Sequence, residues 1–373
     1  MFIQNIKATH FRNLEALELE FSRDFNIIYG DNAQGKSNLL ECLFFLAYLK
    51  GFRSAKLAEL RHYDQPVCSI EAKLSAGKAQ YELRLVLEEN RRRIFVDNSP
   101  VLRLGDYLGI MRLSLFEPKD VSLLQNSPAT RRNALDRMLF NHRPLLLQDL
   151  DQYQKVLRAK ASSLRAEQLD HKLLDVYDEQ LEHFAQRIIY ARIQYLFAIN
   201  ALLSNCFKTL FDESYDLQLE YISSSIRQKL DFREDSLSID MVWAEYLSNM
   251  RRVRNNERMR RSSLAGPQRD DWSIQINAKS AKLYASQGQQ RAIMLSLKMA
   301  ELFYLKQSQG ISPILLLDDV SSELDPERNR RLFEFLAEIS SQVFLTTTSL
   351  RYFNFPKAVQ KYEVINGEIQ RKD

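Results

Sequence analysis

The sequence predicts an α/β fold, a mixed sheet with helices, interrupted by an inserted and mainly helical lobe. Three observations carry this expectation. Phe25-Asn26-Ile27-Ile28-Tyr29 reads as a short apolar strand, Gly30 to Ser37 as a loop, and Asn38 to Ala47 as a helix apolar almost all round and therefore buried. Pro313 to Leu317 is an unbroken apolar run, as in a parallel strand covered on both faces, and it ends in Asp318-Asp319. Between them, Leu173, Tyr177, Leu181, Phe184, Ile188, Ala191, Tyr195, Ile199, Leu202 and Cys206 recur at spacings of three and four. That seam implies one helix roughly 50 Å long. A chain of 373 residues exceeds one compact core, so two domains are expected.

The elements follow in order. Ile3, Ile6 and Ala8 mark a first strand; Leu14, Leu17, Leu19 and Phe21 mark a second that pairs back as a hairpin. Gly30-Asp31-Asn32-Ala33-Gln34-Gly35-Lys36-Ser37 then fits G-x-x-x-x-G-K-[ST], the P-loop pattern. A chance glycine-rich turn need not have a strand before it and a helix after it. In that context the loop's N–H groups and the helix N-terminus converge on nucleotide phosphates. Lys36 would neutralise phosphate charge, and the Ser37 hydroxyl would ligate Mg²⁺. Val67 to Leu74, Tyr81 to Leu87 and Ile94 to Val96 read as a meander, with Arg91-Arg92-Arg93 at its last turn. From about Pro118 long helices begin, read as an antiparallel hairpin within one subunit rather than an intermolecular coiled coil.

Residues 251–261 carry six arginines against one glutamate. Both a solvated helix face and a row of phosphate-backbone contacts fit that run, which makes Arg252, Arg254, Arg258 and Arg261 candidate DNA-binding residues. Ser286-Gln287-Gly288-Gln289-Gln290-Arg291 opens another helix and offers an anion a hydroxyl and free N–H donors. Asp318-Asp319 at the end of its strand reads as a Walker B pair. Asp318 would hold Mg²⁺ through water, and Asp319 would orient or deprotonate the attacking water. Adjacent carboxylates repel without a cation, which itself points to a metal. Val343-Phe344-Leu345 is a further strand, ending in Thr346-Thr347-Thr348; one of these hydroxyls near a γ-phosphate and ordinary strand threonines both fit.

Composition narrows the classes. Apolar content of 45% and charged content of 27% are ordinary for a globular protein. No apolar run reaches the roughly 18 residues of a membrane span, and the N-terminus lacks a signal-peptide layout. Cys42, Cys68 and Cys206 form no C-x-x-C, so neither zinc nor a disulfide framework is indicated and a reducing cytoplasm is expected. A net charge of +4 does not by itself argue nucleic-acid binding; local patches would have to supply it.

In this order, the P-loop, the S-x-G-Q-Q helix start, Leu315-Leu316-Leu317-Asp318-Asp319 and Ser322-Glu323-Leu324-Asp325 resemble the SMC-like branch of the ABC-type ATPases, and within it the RecF family. Phe11-Arg12-Asn13, Asn32 through Glu41, Phe52-Arg53-Ser54, Phe116-Glu117-Pro118 through Arg131-Arg132, and Gly266-Pro267-Gln268-Arg269-Asp270-Asp271 resemble further blocks of that family. Gln268, Asn126 and Ser349 stand where the family more often has His, Gly and Asp. The resemblance implies a P-loop ABC-type ATPase head at 1–117 and 263–373, split in sequence by a helical lobe with long antiparallel helices at 118–262, and binding ATP and Mg²⁺. The implied nucleotide contacts are Arg12, Gly30, Asn32, Gly35, Lys36, Ser37 and Asn38, with Ser286, Gly288 and Gln289 supplied by a second subunit. Ser37 and Asp318 would serve the metal, Asp319 and Lys36 catalysis, and Thr348, Ser322 and Asp325 the switch and D-loop.

It implies further an ATP-dependent homodimer that clamps double-stranded DNA near gaps or junctions and hydrolyses ATP slowly. RecR would be its partner, with RecO and RecA downstream, and it would lie in the cytoplasm at the nucleoid, not at a membrane. A transporter-energising ABC subunit would instead show L-S-G-G-Q and a shorter chain. A defence ATPase-nuclease sharing the head would need an acidic nuclease domain after residue 373.

Overall fold

The structure is a computed structural model and describes residues 1–53, 56–89, 91–226, 230, 232, 238–319, 326–339, 341–350 and 358–372. The chain divides into two units, Met1–Asp120 with Leu302–Asp373, and Val121–Glu301.

In the first unit β1 (Phe2–Phe11) and β2 (Leu14–Glu20) form the expected hairpin. β3 (Phe25–Tyr29) leads through the P-loop into α1 (Lys36–Tyr48). β4 (Val67–Ala76), β5 (Ala79–Glu88), β6 (Arg91–Val96) and β7 (Ser99–Pro100) make the meander. Together these give an antiparallel six-stranded sheet of order β2-β1-β4-β5-β6-β7. The arginines at 91–93 lie inside β6, not in the turn before it; Arg92 donates to the Leu49 carbonyl and Arg93 pairs with Glu88. A short α2 (Leu104–Tyr107) precedes β8 (Leu113–Phe116).

The second unit opens with α3 (Pro128–His142), α4 (Leu146–Arg165) and α5 (His171–Leu210). At 40 residues α5 is about 60 Å long. Its N-cap is Asp170, whose carboxylate accepts the Leu173 N–H and satisfies an otherwise orphan donor. The expected antiparallel hairpin of α4 and α5 is present, tied by Asp149 to Arg187 and Lys160 to Asp178. β9 (Leu217–Ile222), α6 (Ile239–Arg260), β10 (Asp271–Ile276), β11 (Lys279–Ser280) and α7 (Ala281–Tyr284) follow. α8 (Gln287–Gln309) contains the boundary at which the chain returns to the first unit.

A three-stranded sheet of order β11-β10-β9 therefore sits in a lobe that the sequence reading made mainly helical. The same sheet moves the boundary. The head was expected to resume at 263, but β10 pairs with β9 from Asp271↔Ile222 to Ile276↔Leu217, which keeps the chain to Glu301 in the second unit.

The interior of this unit is unusually polar. Lys160 Nζ lies 2.5 Å from Asp178 Oδ1 and 2.6 Å from Glu257 Oε2, linking α4, α5 and α6. The other Glu257 oxygen accepts the Leu264 N–H at 2.6 Å. Asp270 accepts hydroxyls from Tyr221, Tyr246 and Ser223, and Asp271 pairs with Arg131. Gln268, at the position where the family prefers His, accepts the Tyr153 hydroxyl and donates to the Ala265 carbonyl. The Gly266–Asp271 block is thus a knot inside its own lobe.

Back in the first unit come β12 (Ile314–Leu317), α9 (Pro326–Ile339), β13 (Val343–Thr347), β14 (Val359–Ile365) and β15 (Glu368–Lys372). They join β3 and β8 in a second six-stranded sheet of order β15-β14-β3-β13-β12-β8. All its pairings are parallel except the β14–β15 hairpin. α1 packs among strands of both sheets, with Leu39, Leu40, Leu43, Phe45 and Leu46 fully buried in one core shared with Ile3, Ile6, Ile70 and Leu316.

Lys160→Ala should leave Glu257 as a buried carboxylate without its cation, and Asp178 with Arg254 alone. We expect a loss of about 3–5 kcal/mol in urea denaturation followed by helix signal, partly recovered at acidic pH as the two carboxyls protonate.

Candidate functional site

β3, β13 and β12 are neighbours in the parallel sheet, so the chain leaves all three at one edge. The loop after β3, the threonines of β13 and the carboxylates after β12 therefore meet where parallel sheets place their ligands, at the carboxyl ends of the strands. Ser37 Oγ donates to Asp318 Oδ1 at 2.7 Å. Thr346 Oγ1 donates to that same oxygen at 2.8 Å and accepts the Asp319 N–H at 2.9 Å. The second Asp318 oxygen lies 3.0 Å from an Arg53 guanidinium nitrogen. Asp318 itself is buried, at 4% exposure. Asp319 carries a left-handed φ of 50°, a strained value for this residue at the strand's end.

Lys36 folds back over the loop and donates to the Gly30 and Asp31 carbonyls, each at 2.7 Å. Burial lowers its amine below the ordinary lysine value; Asp319, Asp31 and Asp318 oppose that shift with their charges. An anion in the loop would act in the same direction as these carboxylates and favour the protonated amine.

The loop's path rests on two glycines. Gly30 has φ +151°, and a Cβ there would sit 2.5 Å from the Val364 carbonyl oxygen. Gly35 has φ +111°, and its Cβ would meet the Asn13 amide. Phe11-Arg12-Asn13 thus abuts the loop. Asn38 Nδ2 donates to Asn13 Oδ1 at 2.6 Å, and Asn13 donates to the Gln34 carbonyl at 3.3 Å. Arg12 pairs with Glu41, which is fully buried and also accepts the Arg53 N–H at 3.0 Å. Arg12 Nη2 is buried without a hydrogen-bond partner, a donor awaiting an acceptor.

A cavity of about 410 Å³ opens over Asn32, Lys36, Ser37, Asp318, Asp319 and Thr346. An adjoining one of about 1000 Å³ shares Asn38 with it and is lined by Arg12, His62 and Tyr63. The structure therefore gathers Gly35, Lys36, Ser37, Asn38, Asp318 and Asp319 as the motifs anticipated. It adds Arg53, Glu117 and Lys119 to the wall, none of them singled out as a site residue from sequence. Glu117 was legible in principle, since it directly follows β8, the strand beside the Walker B strand. Thr346, not Thr348, touches the Walker B carboxylate; Thr348 is exposed and does not line the cavity. Ser322 and Asp325 lie outside the described residues.

Ser286 and Gln289 bracket the start of α8 reciprocally. The Ser286 hydroxyl accepts the Gln289 N–H at 3.2 Å, and the Gln289 side chain accepts the Ser286 N–H at 2.8 Å. Ser286 and Gly288 are exposed, and a Cβ at Gly288 would meet open space. Lys36 belongs to the first unit and Ser286 to the second.

The arginine run reads differently once folded. Arg251 and Arg254 pair with Glu182, Arg254 also with Asp178, and Arg258 with Asp175, all on α5. Its compensating acids exist, but on another helix. Arg252 bonds to Asn249 of its own helix, and Arg261 to the Ala166 carbonyl.

A P-loop, a Walker B pair one strand away and a second antiparallel sheet packed on the loop helix define the head of an SMC-like ABC-type ATPase. The RecF/RecN/SMC N-terminal domain family matches residues 2–370. The DNA replication and repair protein RecF of Streptococcus equi subsp. zooepidemicus is 34% identical over 371 residues, covering 99% of this chain and 98% of that protein. That of Streptococcus pyogenes serotype M49 is 33% identical over 372 residues, covering 99% and 98%. A solved structure of the recombination mediator protein RecF-ATPrS in the RecFOR pathway superposes with a TM-score of 0.87 at 29% identity, over 99% of this chain and 98% of that one. An Smc head bound to the C-winged helix domain of ScpA shares the fold alone, with a TM-score of 0.58 at 13% identity over 100% and 97%. The chain belongs to the RecF family of DNA replication and repair proteins, as its motifs implied.

Gly30→Ala should lower stability by about 1–3 kcal/mol, because the left-handed φ and the Val364 carbonyl both resist a Cβ. A thermal melt checks this, and an unchanged midpoint would show that the loop can relax away from β14.

Proposed function

We propose that this chain is an ATP-dependent DNA-binding protein of recombinational repair and replication restart, and a weak DNA-dependent ATPase that uses hydrolysis as a switch. The observation that carries the reading is the Ser37–Asp318–Thr346 contact beside Lys36 at the mouth of a P-loop. Lys36 and the loop amides bind the phosphates. Arg12 lines the adjoining cavity, where the nucleoside has room, and supplies a further cation there. The Ser37 hydroxyl and the Asp318 carboxylate are hard oxygen donors 2.7 Å apart and suit Mg²⁺. When bound, that ion neutralises phosphate charge. Asp319 orients the attacking water and takes its proton, and Thr346 fixes the backbone beneath it.

Two such chains would pair head-to-tail around two ATPs, each nucleotide lying between one subunit's P-loop and the other's Ser286 segment. The exposed N-terminus of α8 supports this, as do Leu283 and Tyr284 just before it, 73% and 66% exposed. The dimer would clamp double-stranded DNA near gaps or junctions, engage RecR, and support RecA loading with RecO in the cytoplasm, at the nucleoid. RecF proteins named for DNA replication and repair, and RecF structures named for ATP and the RecFOR pathway, support that assignment.

Mixing two inactive variants tests the composite site. Lys36→Met and Ser286→Arg should each abolish DNA-dependent ATPase alone. A mixed dimer carries one doubly broken site and one intact site, so the mixture should recover activity or at least nucleotide-dependent dimers. Normal hydrolysis by Ser286→Arg alone would mean the site is complete within one subunit.

The DNA surface has a separate test. Arg251, Arg254 and Arg258 are committed to α5, so the arginines of the run left for phosphate are Arg252, Arg260 and Arg261. Replacing these three with Ala should reduce the log–log salt slope of DNA binding by about 1 per lost contact. An unchanged slope in a folded variant would leave the run a solvated face.

A further inference from the structure

The Arg53–Asp318 pair has a consequence for how the site fills. Asp318 is buried, and without a cation its charge would be poorly compensated. Two hydroxyls, from Ser37 and Thr346, occupy Oδ1, and Arg53 stands at Oδ2, 3.0 Å away. We propose that Arg53 is a placeholder cation: it holds the Walker B carboxylate until a divalent ion takes its place, and then moves to the nucleotide phosphates. This rests on the nucleotide-site reading above.

Three features support the exchange. A guanidinium and a divalent ion on one carboxylate repel, so each weakens the other's hold. The Arg53 backbone is anchored, its N–H held by the buried Glu41, while its side chain is 40% exposed and rests on the Phe52 ring, 5.5 Å from its centroid. The guanidinium can therefore swing while its root stays fixed. It also lines the same cavity as Asn32 and Lys36, so phosphate oxygens bound there fall within its reach and match its planar fork. Metal and nucleotide then bind as a coupled pair. The metal alone must displace Arg53 without giving it a new partner; the nucleotide provides that partner. No atom changes bonding except by exchange of ion pairs.

Mn²⁺, counted by its free-ion EPR signal without nucleotide, reads the competition directly. Arg53→Ala should bind Mn²⁺ at least tenfold more tightly than the unmodified chain. Arg53→Lys, which keeps the charge, should stay near the unmodified value. Adding Asp318→Asn to Arg53→Ala should remove the gain, locating it at the Walker B carboxylate. Circular dichroism confirms that each variant folds, and Arg53→Gln replaces the alanine variant if that one does not. ATP titrated calorimetrically with Mg²⁺ separates the two ideas. If the unmodified chain fails to bind ATP, the nucleotide-site reading falls. If it binds ATP while Arg53→Ala holds Mn²⁺ no more tightly, the placeholder alone is overturned. ATP affinity should fall severalfold in Arg53→Ala; an unchanged affinity would overturn the transfer to phosphate.

Discussion

The hydrogen bond from Ser37 to Asp318 joins residues 281 positions apart, and the site is arranged around the carboxylate it reaches. A charge this buried has to be met by donors from every side. The P-loop helix supplies one through Ser37, β13 a second through Thr346, and the turn after α1 a third through Arg53. Each donor fixes its own segment in return. Thr346 also accepts the Asp319 N–H, so the backbone of the second carboxylate is set by the same hydroxyl that steadies the first. The P-loop and both carboxylates share one polar junction for that reason.

Behind the junction, α1 bears the packing load. Its buried face contributes to a single core with strands of both sheets, and Glu41 on the same helix holds Arg12 and the Arg53 backbone from within. A charged residue amid such apolar surroundings is stabilised only because it is paired, and the pairing ties the helix to two site arginines. The second unit uses the same device elsewhere. Lys160 with Asp178 and Glu257, and Asp270 with three hydroxyls, fix how its helices and small sheet register. The family block Gly266–Asp271 is spent on that lobe's interior, which explains how Gln268 replaces His there: its amide satisfies both Tyr153 and Ala265.

By itself the sequence determined what depends on short stretches of chain. The P-loop, the buried α1, the Walker B strand, the α5 seam and the Ser286 helix start all follow from local period, local turn chemistry or a motif of adjacent residues. The family followed too, because motif order survives in a linear string. What the tertiary structure decided are questions of who stands opposite whom. Leu217–Ile222 and Asp271–Ile276 were not read as strands from sequence; their pairing across the lobe made a sheet and moved the boundary to Glu301. The arginine run looked uncompensated because Glu182, Asp178 and Asp175 lie some 70 to 80 residues away in sequence. Thr346 rather than Thr348 meets Asp318 because the β12–β13 register brings Leu345 level with Leu317, leaving the next residue beside the carboxylate. Side-chain neutralisation and strand register act across space at a few ångströms, and a one-dimensional pattern carries no distance between its distant parts.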